Sequence, residues 1–145
     1  MKDTWAPNEE EYRVIRKVAE SDDDHPVLMI NINNYLSNSG FPDGKPYSDW
    51  MQILPNLARE VGAKILWRVP VLGQPIGHQN AHEIIAAWYP SHKAFLSLKD
   101  APSAAESFRL RELCVADAVV HRCPEDIIPN QQWHRYRRPP VRWEF

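Results

Sequence analysis

Apolar positions along the chain alternate between a strand-like period of about two and a helical period near 3.6. Asn8–Glu20 carries Tyr12, Ile15, Val18 and Ala19 on one helical face, with Asn8 placed to cap and Glu9–Glu11 at the positive end of the dipole. The acidic run Ser21–His25 ends that helix. Val27–Leu36 reads as a strand: Leu28, Ile30 and Ile32 point one way, and Met29, Asn31, Asn33 and Tyr35 the other. After the loop Ser37–Pro46, Ser48 is placed to cap a helix with Met51, Leu54, Leu57, Ala58 and Val61 as its apolar stripe. Pro55 lies inside that stripe and predicts a kink or restart, because proline cannot bond back to Met51; Gly62 marks the stop.

Ala63–Leu72 is the second predicted strand and Glu83–Tyr89 the third, with the loop Gly73–His82 between them. Pro90–Ser91 punctuates the chain before helical character in His92–Leu98, where Phe95 and Leu98 face inward. Pro102 breaks this segment, and the capping box Ser103–Glu106 opens a helix to about Leu113. Ala118–Cys123 is the fourth strand. The order strand, helix, strand, strand, helix, strand is the α+β, ferredoxin-like plan, with a four-stranded antiparallel sheet and two helices on one face. One domain is expected over 1–145: an accessory helix at 8–20, a core at 27–123 and a tail at 124–145. Strand faces bearing Met29, Trp67, Val69 or Trp88 are too apolar for water, so the tail or a second subunit must cover the helix-free face, and a homodimer is expected.

Composition narrows the classes. The 145 residues suffice for one domain, and 43% hydrophobic with 25% charged residues excludes a mainly disordered chain. No apolar run approaches the ~20 residues needed to cross a bilayer. The opening residues are polar and acidic, which predicts a soluble, cytoplasmic protein with no membrane partner. A formal charge of −2 gives no drive toward nucleic acid, and Cys114 and Cys123 are too few for a disulfide framework. Thirteen prolines against five glycines imply stiff loops.

Three stretches carry a likeness: AKILWRV (Ala63–Val69), AAWYPS (Ala86–Ser91) and FRLREL (Phe108–Leu113). Through them Val27–Cys123 resembles the dimeric α+β barrel superfamily, and within it a bacterial family of small ferredoxin-like domains of unknown function. The resemblance implies two sheets paired face to face as a barrel, with a pocket in each subunit between the sheet and its own helices or loops. The superfamily includes cofactor-free cyclases, isomerases and oxygenases, haem degraders and members without known reaction, so the fold alone does not choose a chemistry. The family often has an acidic residue just before the aromatic-Pro-Ser run, a place held here by Trp88.

Polar residues inside strands are the candidates for chemistry, since each must be paired or costs roughly 1–3 kcal/mol. His121 is the expected acid/base, with an ordinary pKa of about 6.5 suited to proton transfer near neutrality. Arg68 is expected to hold a carboxylate or enolate oxygen, with Tyr35 as a further catalytic residue and Asn33 and Asn31 orienting the substrate. Trp88 is expected to wall the pocket and stack a flat ligand, and His82 to touch the ligand at its mouth. Any one of these residues could instead be a satisfied structural group.

His78, His82 and Glu83 have metal-ligand residue types, but the preceding glycines and proline argue against a helix, and no metal or other cofactor is expected. Arg135, Arg137, Arg138 and Arg142 interleave with Trp133, Tyr136, Trp143 and Phe145; an ordered tail packed on the partner subunit, its arginines facing Asp22–Asp24, is the reading preferred over nucleic-acid binding. The expected function is a cofactor-independent enzyme of isomerase, cyclase or lyase type, acting on a small organic substrate of anionic or aromatic character. The alternatives are a non-catalytic ligand-binding or stress-related dimer and, more weakly, a haem- or metal-dependent monooxygenase.

Overall fold

A computed structural model describes residues 6–125. The expectations for the tail beyond Glu125 lie outside the described residues. In chain order the elements are α1 (Glu9–Glu20), β1 (Val27–Tyr35), α2 (Tyr47–Glu60), β2 (Lys64–Pro70), β3 (Glu83–Tyr89), α3 (His92–Leu96), a 3-10 turn (Ser97–Asp100), α4 (Ala104–Cys114) and β4 (Val115–Pro124). The strands form one antiparallel sheet in the order β2-β3-β1-β4, the ferredoxin-like arrangement.

Local chemistry accounts for most boundaries. The Asn8 side chain accepts the Glu11 N–H at 3.2 Å, so α1 starts where its cap sits. At the end of α2, Gly62 takes a left-handed φ of +76° and donates to Arg59 O at 3.1 Å, while Ala63 N–H reaches Ala58 O at 2.8 Å. Those two bonds satisfy the last free carbonyls of the helix. Gly40, at φ +85°, is equally constrained: a Cβ there would come within 2.5 Å of the Gly44 backbone. The turn it closes lets Tyr47 N–H bond Ser39 O at 2.8 Å and so sets the start of α2.

Several expectations are corrected. α2 is one element passing through Pro55, with no restart. It begins at Tyr47, with Pro46 in the capping place, so Ser48 is not the cap. The Ser103–Glu106 capping box does not form. Ser103 instead donates from N and Oγ to the Glu60 carboxylate, at 2.8 and 2.6 Å, and Glu106 pairs with Arg109. Helix-to-helix bonding has displaced the local cap. The segment after Ser91 is a short helix followed by a 3-10 turn, and β4 begins three residues before Ala118, directly from α4.

The two apolar clusters lie between sheet and helices. One gathers Tyr35, Tyr47, Trp50, Leu110, Cys114, Val115 and Ala118. The other gathers Val27, Met29, Ala58, Ala63, Ala87 and Tyr89. The opposite sheet face carries Leu28, Ile30 and Ile32 in register with Val119, His121 and Cys123 on one side and Ile84, Ala86 and Trp88 on the other. No helix of the described residues is long and apolar enough to cross a membrane.

A second network locks α3 to the sheet. His92 is fully buried. Its Nε2 lies 3.4 Å from Arg122 Nη1, which can only donate, so Nε2 accepts and Nδ1 carries the proton toward Asp24 Oδ1 and His25 O, each at 3.1 Å. Asp24 also accepts the His92 and Lys93 backbone N–H groups, and Arg122 reaches Glu11 of α1 at 2.5 Å. Burial foremost, with Arg122 and His25 nearby, lowers the His92 pKa. A histidine neutral in the fold takes up a proton more readily when unfolded. Stability is therefore greatest above about pH 6.5 and falls as pH drops through that value toward the folded-state pKa. Urea titrations at about pH 7.5 and pH 5 are expected to show lower stability at the acid end, with a shallower fall in His92→Gln. Asp24→Ala, which strips the cap and the Nδ1 partner, is expected to cost roughly 1–3 kcal/mol in the same titration.

Candidate functional site around Glu83

β3 is apolar from Ile84 through Tyr89, yet it opens with Glu83, which is only 3% exposed. Antiparallel pairing sets Glu83 beside Asn33, and both face the helices. Three donors from three elements converge on the carboxylate. Tyr35 OH, from β1, donates to Oε1 at 2.5 Å. Tyr47 OH, from the first turn of α2, donates to Oε2 at 2.7 Å. Arg68 Nη1, from β2, reaches Oε2 at 3.2 Å and also donates to Tyr47 OH at 2.8 Å.

Around this centre Asn33 Nδ2 donates to Tyr35 OH at 3.3 Å, while its Oδ1 is buried without a partner among the described residues. His82, at the end of the loop before β3, accepts the Tyr35 backbone N–H at Nδ1 (2.9 Å), which leaves its proton on Nε2. Its ring stacks on Tyr35 with centroids 5.9 Å apart. Burial, reinforced by the neighbouring carboxylate, pushes both the Tyr35 and Tyr47 phenols above their ordinary pKa range. Both are therefore neutral donors, able to hold a carboxylate or to hand a proton to an oxygen.

Arg68 reaches this site because of a β-bulge. β2 shifts register between Ile65 and Trp67, so Ile65 and Arg68 share the helix-covered side while Trp67 turns to the other. The Arg68 side chain stays 40% exposed. It lines a cleft of about 410 Å³ between α2 and β2. His82 lines a second cleft, of about 470 Å³, under the β2–β3 loop.

The expected constellation is only partly assembled. Arg68, Tyr35, Asn33 and His82 come together. His121 does not join them: it is exposed on the helix-free face, opposite Ile30. Trp88 lies on that same face, its Nε1 donating to Glu125 at 3.0 Å and Lys64 sitting 5.6 Å over its ring. The sheet's parity carries Asn33, Tyr35 and Arg68 to the side of the helices. Asn31 donates to Met29 O and Ile85 O within the sheet. Trp50 is core, at 3% exposure. Glu83 and Tyr47 escaped the sequence reading as an acid and its donor; the available signal was a lone charge opening an otherwise apolar strand. Among the described residues no group of three or more His, Cys, Asp or Glu could hold a metal, and His78, His82 and Glu83 form no such cluster.

No protein-family profile and no curated protein sequence matches the chain. Its architecture is similar to solved structures. The RPA0582 protein of Rhodopseudomonas palustris, described as of unknown function, is 22% identical with a TM-score of 0.68, over 88% of this chain and 100% of that one. At3g17210 of Arabidopsis thaliana is 12% identical with a TM-score of 0.54, over 71% and 98%. The chain is a small α+β domain of ferredoxin-like fold. At these identities the likeness extends to the fold alone.

Truncating the acid tests how the centre is held. Glu83→Ala leaves two buried phenols and a guanidinium without their acceptor, and urea unfolding is expected to register a loss of about 3–5 kcal/mol. Tyr35→Phe, which removes one donor, is expected to cost roughly 1–2 kcal/mol.

Proposed function

We propose that the chain is a cofactor-independent acid/base enzyme acting on a small organic molecule, with Glu83 as the base in the role first expected of His121. The observation that supports it is a carboxylate 3% exposed, held by two neutral phenols and one half-exposed guanidinium. Burying a carboxylate costs several kcal/mol before its partners repay it, so an acid kept inside a small core needs a reason. In the proposed step a C–H bond beside a substrate carbonyl breaks and its proton passes to Glu83 Oε2. The electron pair moves to the carbonyl oxygen, where the Arg68 guanidinium balances the developing charge. Return of the proton at another carbon is an isomerisation; loss of a leaving group is an elimination. Tyr35 holds the carboxylate in place through Oε1.

The test is hydrogen–deuterium exchange in D2O, followed by NMR, on a panel of small ketones, 2-oxo acids and β-dicarbonyls. Wild type is expected to exchange at least one of them, and Glu83→Gln to lose about 10²-fold or more of that rate. Exchange by no compound, or equal exchange by Glu83→Gln, overturns the reading. One observation favours a second reading, a binding dimer without catalysis: the two phenols and Arg68 already occupy both carboxylate oxygens.

We further propose that two copies pair through the helix-free sheet face. Trp67, Val69 and Val119 are 47%, 42% and 39% exposed there, beside Leu28, Ile30, Ile32 and Ile84. An apolar face of this kind is costly to leave in water. His121 would then lie in the interface, apart from the Glu83 centre. Sedimentation is expected to give about 34 kDa, twice 16.9 kDa, and Val119→Asp to halve it without loss of secondary structure. A wild-type monomer at micromolar concentration overturns the pairing. A cytoplasmic setting belongs to the same proposal and is supported by the buried, unbridged thiol of Cys114.

A further inference from the structure

Arg68 does two things at once. Its Nη1 is committed inward, to Tyr47 OH and Glu83 Oε2. Its Nε and Nη2 carry no hydrogen bond among the described residues, and the side chain is 40% exposed. Those two nitrogens form one edge of the guanidinium plane, the edge that meets a carboxylate side-on with two parallel bonds. The cleft onto which Arg68 opens has a cationic and an apolar part: Arg59 and Lys64 join Arg68, and Pro55, Ile65 and Trp67 line the rest.

Among the described residues no Asp or Glu lines this cleft. Glu60, beside Arg59 in sequence, is turned away to Ser103. Arg59 gives one nitrogen to Asn56 Oδ1 and keeps its other donors. The volume of about 410 Å³ falls in the range usual for small-molecule sites, roughly 300–1,000 Å³.

We infer that the ligand is an organic carboxylate with a flat apolar body, its anionic head held side-on by Nε and Nη2 of Arg68. Arg59 is the second cation, and the apolar body lies on Pro55, Ala58 and Ile65. This rests on the reading of Glu83 as the reacting base, since it makes the α2–β2 cleft the approach to that group. The Glu83 carboxylate does not repel the head directly, because the Arg68 guanidinium stands between them.

The experiment is calorimetric titration of the full chain with phenylpyruvate and benzoate, against benzamide as the neutral isostere. Wild type is expected to bind the carboxylates about tenfold or more tightly than the amide, with affinity falling as salt rises. Arg68→Lys is expected to lose about tenfold, since an ammonium cannot offer the paired edge, and Arg59→Ala a smaller factor. Both variants retain a cation or leave Glu83 paired, so folding is preserved for the comparison. Equal binding of benzamide, or wild-type affinity in both variants, overturns the inference. Glu83→Gln separates it from the catalytic reading. Carboxylate binding kept in Glu83→Gln, with its loss in Arg68→Lys, supports the cleft even if deuterium exchange shows Glu83 inert. Glu83-dependent exchange without any carboxylate binding leaves the base in place and overturns the cleft.

Discussion

One carboxylate sets the terms for half of this fold. Glu83 is nearly excluded from water, and its desolvation is offset only if its oxygens meet donors at good geometry. Those donors come from β1, α2 and β2, so the acid on β3 ties α2 to two strands that are not adjacent in the sheet. Tyr47 is held in reach by the turn at Gly40, and Arg68 by the bulge in β2. Losing any one of these features leaves the others with an unpaired buried group. The network is polar, yet it sits inside an aromatic cluster in which Tyr35 packs against Phe41, Tyr47 and Trp50. Edge-to-face packing and hydrogen bonding therefore select the same arrangement.

The sheet separates a buried polar centre from an exposed apolar face. On its helix-covered side lie Glu83, its phenols and Arg68. On the other lie Trp67, Val69 and Val119, exposed in a single chain. His121 belongs to the second surface, although its chemistry fits the first. A strand presents alternate residues to opposite sides, so two residues suited to one task can be parted by a single step of register.

The buried His92 centre does for α3 what Glu83 does for α2. Asp24 stands between α1 and β1 and accepts from the first turn of a helix only five residues long, which its own backbone bonds would hold poorly. Arg122 extends that contact to Glu11, so α1 is fastened to the edge strand β4 by charge and to α3 by the Tyr12–Phe95 contact.

Element order was legible because it depends on local chemistry. Asn8 caps α1, Gly62 closes α2, and the parity of Val27–Tyr35 in the sequence is its parity in the sheet. The four-strand, two-helix plan followed from those local periods. What lies between elements was not legible. The Ser103–Glu106 pattern was a sound local cap, but Glu60 on another helix offered a stronger partner. Arg68 sits one residue past a bulge, and strict alternation from Ile65 would have sent it to the wrong face. Glu83 read as the edge of a loop beside two histidines; its meaning comes from Tyr35, Tyr47 and Arg68, which lie 48, 36 and 15 residues away. The sequence by itself determined the helices, the strands and their order, because hydrophobic period and capping act within a few residues. Only the tertiary structure decided which polar groups meet, because that depends on register, bulges and the desolvation of a buried charge.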